Sequence, residues 1–412
     1  MTLACVSCGK TFATGFHPFC DTCGAMVDVD YDLERVRLAD SPNPYRRFRN
    51  LLPVDDADQM PADATYTPCR HAEKLGAALG LAHLYLKDET MLPTGTTKDR
   101  MAAVALPFLR ERGVRTFSTS STGNSSTAYV REIARYPDLR LVLFTGEAFC
   151  DRVQLGPHFN VLHLGLRGAN FVDAFDCALR FAHRAGATAE RGFFNPGRRE
   201  GLKLAFLEAV EQVPRPIDWY AQAVSSAMGV YGVSKGAREL YRLGRISRLP
   251  RLLCVQEETC SPMVNAFAEG SPVIRAHHVV RDPTGIATAI QRGDPTKAYP
   301  YVQRLVRESG GDFLAVCAAE IRTAHTLLET LEGISVCFAA AAALAGVIRM
   351  SRCGAFARGD TILVNLTGKE RAPVRDSGQT IWLKRLNGDW VPEDGRDTRV
   401  RHWWPAFIEA DV

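Results

Sequence analysis

The sequence has no stretch long and apolar enough to cross a bilayer. Its longest apolar run, Ile334 to Ile348, falls short of the ~20 residues a spanning helix needs and reads as a buried helix. It has almost no excess charge, with 50 Lys and Arg against 46 Asp and Glu, and the basic residues are spread along the chain rather than gathered in a stripe. Electrostatics therefore points to no nucleic-acid or membrane-surface partner. The first residues lack a basic region followed by an apolar one, so no secretory signal is visible and the expectation is a soluble, cytoplasmic protein. At 46% hydrophobic and 23% charged residues over 412 positions the chain is not disordered, and its length suggests two to three domains. No internal repeat is visible.

Twelve cysteines are present, and in a chain of this length they do not read as a disulfide scaffold. Eight are scattered in apolar surroundings and are expected to be buried thiols. The other four form two pairs, Cys5-Val-Ser-Cys8 and Cys20-Asp-Thr-Cys23, each followed by glycine. Four thiolates converging on one centre match tetrahedral zinc, and with every ligand position filled by protein the metal is expected to be structural. So few residues cannot hold themselves together by apolar burial, so metal binding would supply the folding energy of the knuckle.

Further along, apolar strands alternate with helical patterns. Leu84–Leu86 precedes a Gly/Pro/Thr loop and a helix from Asp99 to about Glu111. Strand, loop and helix recur at Thr116–Ser120 before Gly123 and at Leu141–Phe144 before Gly146. Arg199–Gln212, Leu252–Val255, Glu320–Leu331 and Ile362–Leu366 continue the alternation, which predicts an α/β protein with a mainly parallel sheet. Asp28 to about Pro61 is expected to be an arm packed over the body. Trp382–Val391 reads as a hairpin turning at Asn387-Gly388, because Asn-Gly accepts the positive φ angles of a type I′ turn.

Two loops carry chemistry. In Leu86-Lys-Asp-Glu-Thr-Met-Leu-Pro-Thr-Gly-Thr-Thr-Lys98-Asp99-Arg100 a lysine stands where a turn becomes a helix. The positive end of the helix dipole favours its neutral amine and so imine formation, the alternative being a surface lysine in a charge cluster. In Ser120-Ser121-Thr122-Gly123-Asn124-Ser125-Ser126-Thr127 hydroxyls and free N–H groups at a helix start make a carboxylate site, the alternative being a solvated N-cap.

With these loops in order, the chain resembles threonine synthase and the wider pyridoxal-phosphate enzymes of the tryptophan synthase β-like fold (fold type II). The resemblance runs from about Pro68 to Ala372. It rests on the two loops together with Asn195-Pro-x-Arg-x-Glu200-Gly, Ala287-Thr-Ala-Ile290 with Gly293, Glu332-Gly333 before the Ala-rich helix, and Leu366-Thr367-Gly368. It implies a two-domain fold behind the knuckle (1–30): an arm and first part of a large cofactor domain (31–104), a smaller mobile α/β domain (105–189), the rest of the large domain (190–375), and a C-terminal hairpin and tail (376–412). A homodimer is the family expectation, and Trp403 and Trp404 in the tail are candidates to dock on the body or on a second subunit.

The resemblance also implies roles. Lys98 would hold pyridoxal 5′-phosphate as a Schiff base and act as base and acid at the substrate α-carbon. Asn124 would bond the cofactor's ring oxygen, and Ser121, Thr122 and Ser125 would hold the substrate carboxylate. Thr367 would place a neutral hydroxyl at the pyridine nitrogen, which suits elimination and replacement more than transamination. Ser225-Ser226-Ala227-Met228-Gly229 stands where the family has a glycine-rich phosphate turn. Other departures are Thr97 before the lysine, Cys337-Phe338, and Lys369-Glu370-Arg371. Arg100, Arg198, Lys203 and Lys369 are candidates for a substrate phosphate tail, solvated charge being the alternative for each.

The implied activity is a lyase that eliminates phosphate from an O-phospho-L-amino acid, O-phosphohomoserine to threonine or a close analogue. The alternatives are β-replacement on an O-phosphoserine-like substrate, as in cysteate and cysteine synthases, and a non-catalytic binding protein on the same fold.

Overall fold

The computed structural model describes residues 1–156, 158–374 and 378–394. Three sheets organise them. The large sheet has the strand order Asp312–Val316, Arg251–Glu257, Trp219–Ala223, Thr361–Leu366, His83–Asp88, Cys69–His71, all parallel except the last. Its central strands Trp219–Ala223 and Thr361–Leu366 are buried along their whole length, as a parallel sheet covered by helices requires. The Ala-rich helix Phe338–Arg352, buried from Ala339 to Ile348, packs on it. Among the described residues no helix is long and apolar enough to cross a membrane.

The second sheet runs Asp389–Pro392, Ile381–Leu386, Val161–Leu166, Arg140–Gly146, Thr116–Ser120, Thr188–Ala189. The expected hairpin forms, with Asn387 at φ 49° and Gly388 at φ 90°. It is not a separate terminal element: Ile381–Leu383 pairs in parallel with Leu164–Leu166 and extends this sheet at its edge. The helix expected after Leu141–Phe144 is replaced by a 3₁₀ helix, Glu147–Arg152, and the next strand follows before any α-helix. The expected division at residues 104 and 105 falls inside the helix Lys98–Glu111. That helix packs both on Pro196–Gln212 and on Asn124–Ile133 of the second unit.

A small antiparallel sheet, Thr11–Phe12, Thr2–Cys5 and Val27–Asp30, carries the cysteine knuckle. The arm behind it is pinned by Tyr45 and Phe48, both buried in the main core. Of the eight scattered cysteines, Cys177, Cys254 and Cys260 are buried. Cys69, Cys150, Cys317 and Cys337 are half-buried, and Cys353, at a helix C-cap, is exposed.

Beneath the lysine loop lies a fully buried ionic network. Arg100 donates to Glu89 Oε2 at 2.6 Å and to Glu208 Oε1 at 2.5 Å, and Lys87 donates to Glu208 Oε2 at 2.7 Å. Removing one partner leaves buried carboxylates uncompensated, at a cost of ~3–5 kcal/mol. Arg100→Met is therefore expected to lower unfolding stability by about that amount in urea titration, with Glu208→Gln a second probe of the same network. A loss below ~1 kcal/mol in both would mean that the network carries little of the packing.

Candidate active site

Three loops leave the same ends of adjacent parallel strands. His83–Asp88 leads into residues 89–97 and Lys98, Thr361–Leu366 leads into Thr367, and Trp219–Ala223 leads into Ser225–Ala227. The carboxyl ends of strands in an open α/β sheet are where ligands bind. Backbone bonds fasten two of the loops: Thr97 N–H donates to the Thr367 carbonyl at 2.9 Å, and Lys369 N–H to that of Gly95 at 2.9 Å. Lys98 and Thr367 are thereby neighbours.

The Lys98 amine has no hydrogen-bond or ion-pair partner among the described residues. Burial, and then the Arg198 guanidinium nearby, push it down to about 8. A lysine buried without a counter-charge is what imine chemistry requires, because the neutral amine is the nucleophile.

The second loop caps its own helix. Ser121 Oγ accepts from Gly123 N–H at 3.1 Å and Ser126 N–H at 3.2 Å, and Ser126 Oγ donates to the Gly123 carbonyl at 2.9 Å. Gly123 has φ +120°, and a Cβ there would stand 2.7 Å from Arg152 Cβ, so only glycine fits. No acceptor among the described residues takes the N–H groups of Thr122, Asn124 or Ser125, which leaves a donor set suited to a carboxylate. Asn124 Oδ1 accepts from Arg371 Nη2 at 2.7 Å, so its Nδ2 is turned away from Arg371.

At Ser225–Gly229 the helix Met228–Arg242 begins with Ala227 in the left-handed region, φ 56°. The N–H groups of Met228, Gly229 and Val230 likewise lack acceptors among the described residues, and Ser225 and Ser226 are half-buried beside them. A helix N-terminus with free N–H groups and two hydroxyls fits a phosphate. A free buried amine on one loop and an anion cradle on the next together suit an aldehyde cofactor bearing a phosphate. Lys98, Thr367 and the 225–229 turn would hold it.

Two expectations are corrected. Arg100 lies in the buried network with Glu89 and Glu208, and Lys203 is taken by Glu239 at 2.7 Å and by Glu200. Both are fully buried and charge-compensated, so neither is available to a substrate phosphate. Arg198 is also engaged, by Glu190, Tyr129 and Thr119. No motif marks Glu190, fully buried at the meeting of Arg198, Asn195 and Tyr129, or Arg152, so neither is apparent from the residues alone. Cys337 and Ala289 line the mouth with Asn124.

The knuckle cysteines are brought together without a disulfide. Their sulfurs lie 3.4 Å (Cys5–Cys23), 3.7 Å (Cys8–Cys20) and 3.6 Å (Cys8–Cys23) apart. Four sulfurs ~2.3 Å from a tetrahedral ion stand about 3.8 Å from one another. The cluster thus has the size of a four-thiolate metal site.

The parallel sheet, the second α/β unit and the buried lysine between them define an α/β enzyme of cofactor-lysine type. A family model described as pyridoxal-phosphate dependent enzyme matches residues 62–368, and the chain belongs to that family. It is 30% identical over 378 residues to the threonine synthase of Methanosarcina acetivorans, covering 89% of this chain and 91% of that one. It is 26% identical over 384 residues to the cysteate synthase of Methanosarcina mazei, covering 89% and 91%. Among solved structures, maize serine racemase shares the fold at TM-score 0.62 and 19% identity, over 76% of this chain and 90% of that one.

Competitive acetylation of the cofactor-free protein, read by mass spectrometry, should give Lys98 a midpoint near pH 8, against ~10.4 for an ordinary lysine. Arg198→Met removes a repelling cation and should move the midpoint upward. A midpoint above ~10 in the unmodified protein would show that the amine is not desolvated.

Proposed function

We propose that this enzyme eliminates phosphate from an O-phospho-L-amino acid, with O-phosphohomoserine to threonine the leading reaction. The observation that carries the reading is the buried Lys98 amine, without a partner among the described residues, on a loop fastened to Thr367 at the carboxyl ends of the parallel strands. Likeness to a threonine synthase over 89% of the chain supports the substrate class.

The residues divide the work. Free N–H groups at Thr122, Asn124 and Ser125 hold the substrate carboxylate and fix its α-carbon relative to Lys98. Pyridoxal phosphate, when bound, supplies a conjugated ring that stabilises negative charge at that carbon. The Lys98 amine, pushed down to about 8, is partly neutral near neutral pH, so it takes the α-proton and its conjugate acid returns one. Asn124, whose Oδ1 accepts from Arg371, would offer its amide N–H to the cofactor's ring oxygen. Thr367 would offer a neutral hydroxyl to the ring nitrogen, which would favour departure of a side-chain leaving group over transamination.

A second reading is β-replacement on O-phosphoserine with an anionic nucleophile. It is favoured by the cations Arg152, Lys369 and Arg371 around the mouth and by the likeness to cysteate synthases. The test is phosphate release and product analysis with O-phosphohomoserine and with O-phosphoserine plus sulfite. Threonine and phosphate from the first, lost more than a thousandfold in Lys98→Ala, are expected. Turnover only of O-phosphoserine with sulfite would select the second reading, and turnover of neither would overturn both.

Cys5, Cys8, Cys20 and Cys23 we propose as ligands of one structural zinc. Elemental analysis should find one zinc per chain, and the double substitution Cys8→Ser with Cys23→Ser should remove it and lower the melting temperature. A metal-free wild-type protein of equal stability would overturn the assignment.

A further inference from the structure

Beyond Thr367 the chain becomes a strap. Lys369 N–H is bonded to Gly95 of the lysine loop, and Val374 N–H donates to the Asp151 carbonyl at 2.6 Å, in the 3₁₀ helix of the second unit. Residues 369–374 therefore cross the mouth of the site before the hairpin joins the second sheet. The Lys369 side chain lies over Gly95, where a Cβ would meet its Cε at 2.7 Å.

Under the strap Arg152, Lys369 and Arg371 line one small cavity with Asn124, Ala289 and Cys337, and among the described residues the exposed Glu370 is the one carboxylate in that lining. None of the three cations forms an ion pair among the described residues. Arg152 Nη1 donates to Thr288 Oγ1 at 3.0 Å, and Arg371 Nη2 to Asn124 Oδ1 and, at 3.3 Å, to the Arg152 carbonyl. Arg371 Nη1 is buried with no partner among the described residues. Asp99, whose charge reaches Arg371, accepts instead from the Thr94 N–H at 2.7 Å. Burial, then the like charge of Arg152, hold the Arg371 guanidinium below its usual range. An unpaired buried donor beside a second cation is costly unless an anion arrives to take it. A guanidinium fixed by one nitrogen and free at another is preorganised for an oxyanion.

We propose that Arg371 and Arg152, with Lys369 at the rim, form the subsite for a tetrahedral oxyanion brought by a reactant. The anion is either the phosphate leaving group or an anionic nucleophile. The inference rests on the function proposed above.

The test uses the cofactor-loaded full chain, so that the cofactor's own phosphate cradle is filled, and titrates inorganic phosphate by calorimetry. One phosphate per chain is expected, weakened at least tenfold in Arg371→Met and in Arg152→Met and less in Lys369→Met, with the melting temperature retained in all three and the cofactor absorbance retained in Arg152→Met and Lys369→Met. Unchanged phosphate binding in the two arginine variants, or no binding in the wild type, overturns the subsite. Arg371→Lys should restore part of the binding, since it keeps the charge without the fork.

Kinetics then separate the sources. If the anion is the leaving group, Arg152→Met raises KM for the phosphorylated amino acid at least tenfold more than KM for an O-acetyl analogue. If it is the nucleophile, the same variant raises KM for sulfite, and phosphate competes with sulfite. Failure of both phospho-amino acids as substrates would overturn the proposed function while leaving the calorimetric result to stand or fall by itself.

Discussion

The arrangement around Lys98 depends on the buried network of Arg100, Lys87, Glu89 and Glu208. Two cations and two carboxylates, all at or near zero exposure, join the strand His83–Asp88, the helix Lys98–Glu111 and the helix Pro196–Gln212. Thr67 completes it, bonding Glu89 at 2.7 Å and receiving Arg100 at 2.9 Å. Such a network adds little net stability relative to apolar packing, but each charge needs its partners, so alternative registers of the three elements are penalised. Two residues earlier on the same helix, Lys98 is left without a partner. The contrast is what makes it reactive: one cation is compensated so fully that it is inert, and the other is desolvated with only a cation nearby.

That contrast also explains what was legible in the sequence and what was not. Lys98 and Arg100 sit in one short run of charge, yet a helix turns each successive residue by about 100°, so Lys98 faces the loops and Arg100 the core. Spacing alone does not say which side is core when both are buried. Lys203 misleads in the same way, since its carboxylate partners Glu200 and Glu239 come from two helices. The strands, the Asn-Gly hairpin and the loop caps were readable because their signals are local. Arg152 was not, because it reaches the mouth from a 3₁₀ helix whose position depends on the second sheet. The hairpin's docking on that sheet was equally invisible, being a pairing between Ile381–Leu383 and a strand more than 200 residues away.

The knuckle is tied to the same helix that flanks the site. Arg199, fully buried, donates to the Val27 carbonyl at 2.7 Å and to Asp28 Oδ1 at 3.0 Å, and Tyr31 donates to Glu200 at 2.7 Å. The preceding residue, Arg198, turns the other way to Glu190 and supplies the charge that acts on Lys98. Adjacent residues of one helix thus face the cysteine module and the reactive amine. The bonds of Arg199 join the strand Val27–Asp30 to the first turn of Pro196–Gln212, beside the residue whose charge acts on Lys98.

The departures from the family pattern lie on loops and helix starts, not on the strands of the large sheet. Lys98, Asn124 and Thr367 stand at strand ends or a helix start, fixed by the backbone bonds of the sheets. Ala227, Cys337 and Lys369–Arg371 lie on the loops between. Ala227 adopts a left-handed conformation that costs an L residue ~1–2 kcal/mol, so the turn's shape is held by its surroundings rather than by glycine. The strap places two added cations beside Asn124, within the same mouth as Arg152. The strap and the helix Lys98–Glu111 thus hold the cations of the rim and the desolvated amine on different elements, and the bond from Arg371 to Asn124 couples the rim to the second loop.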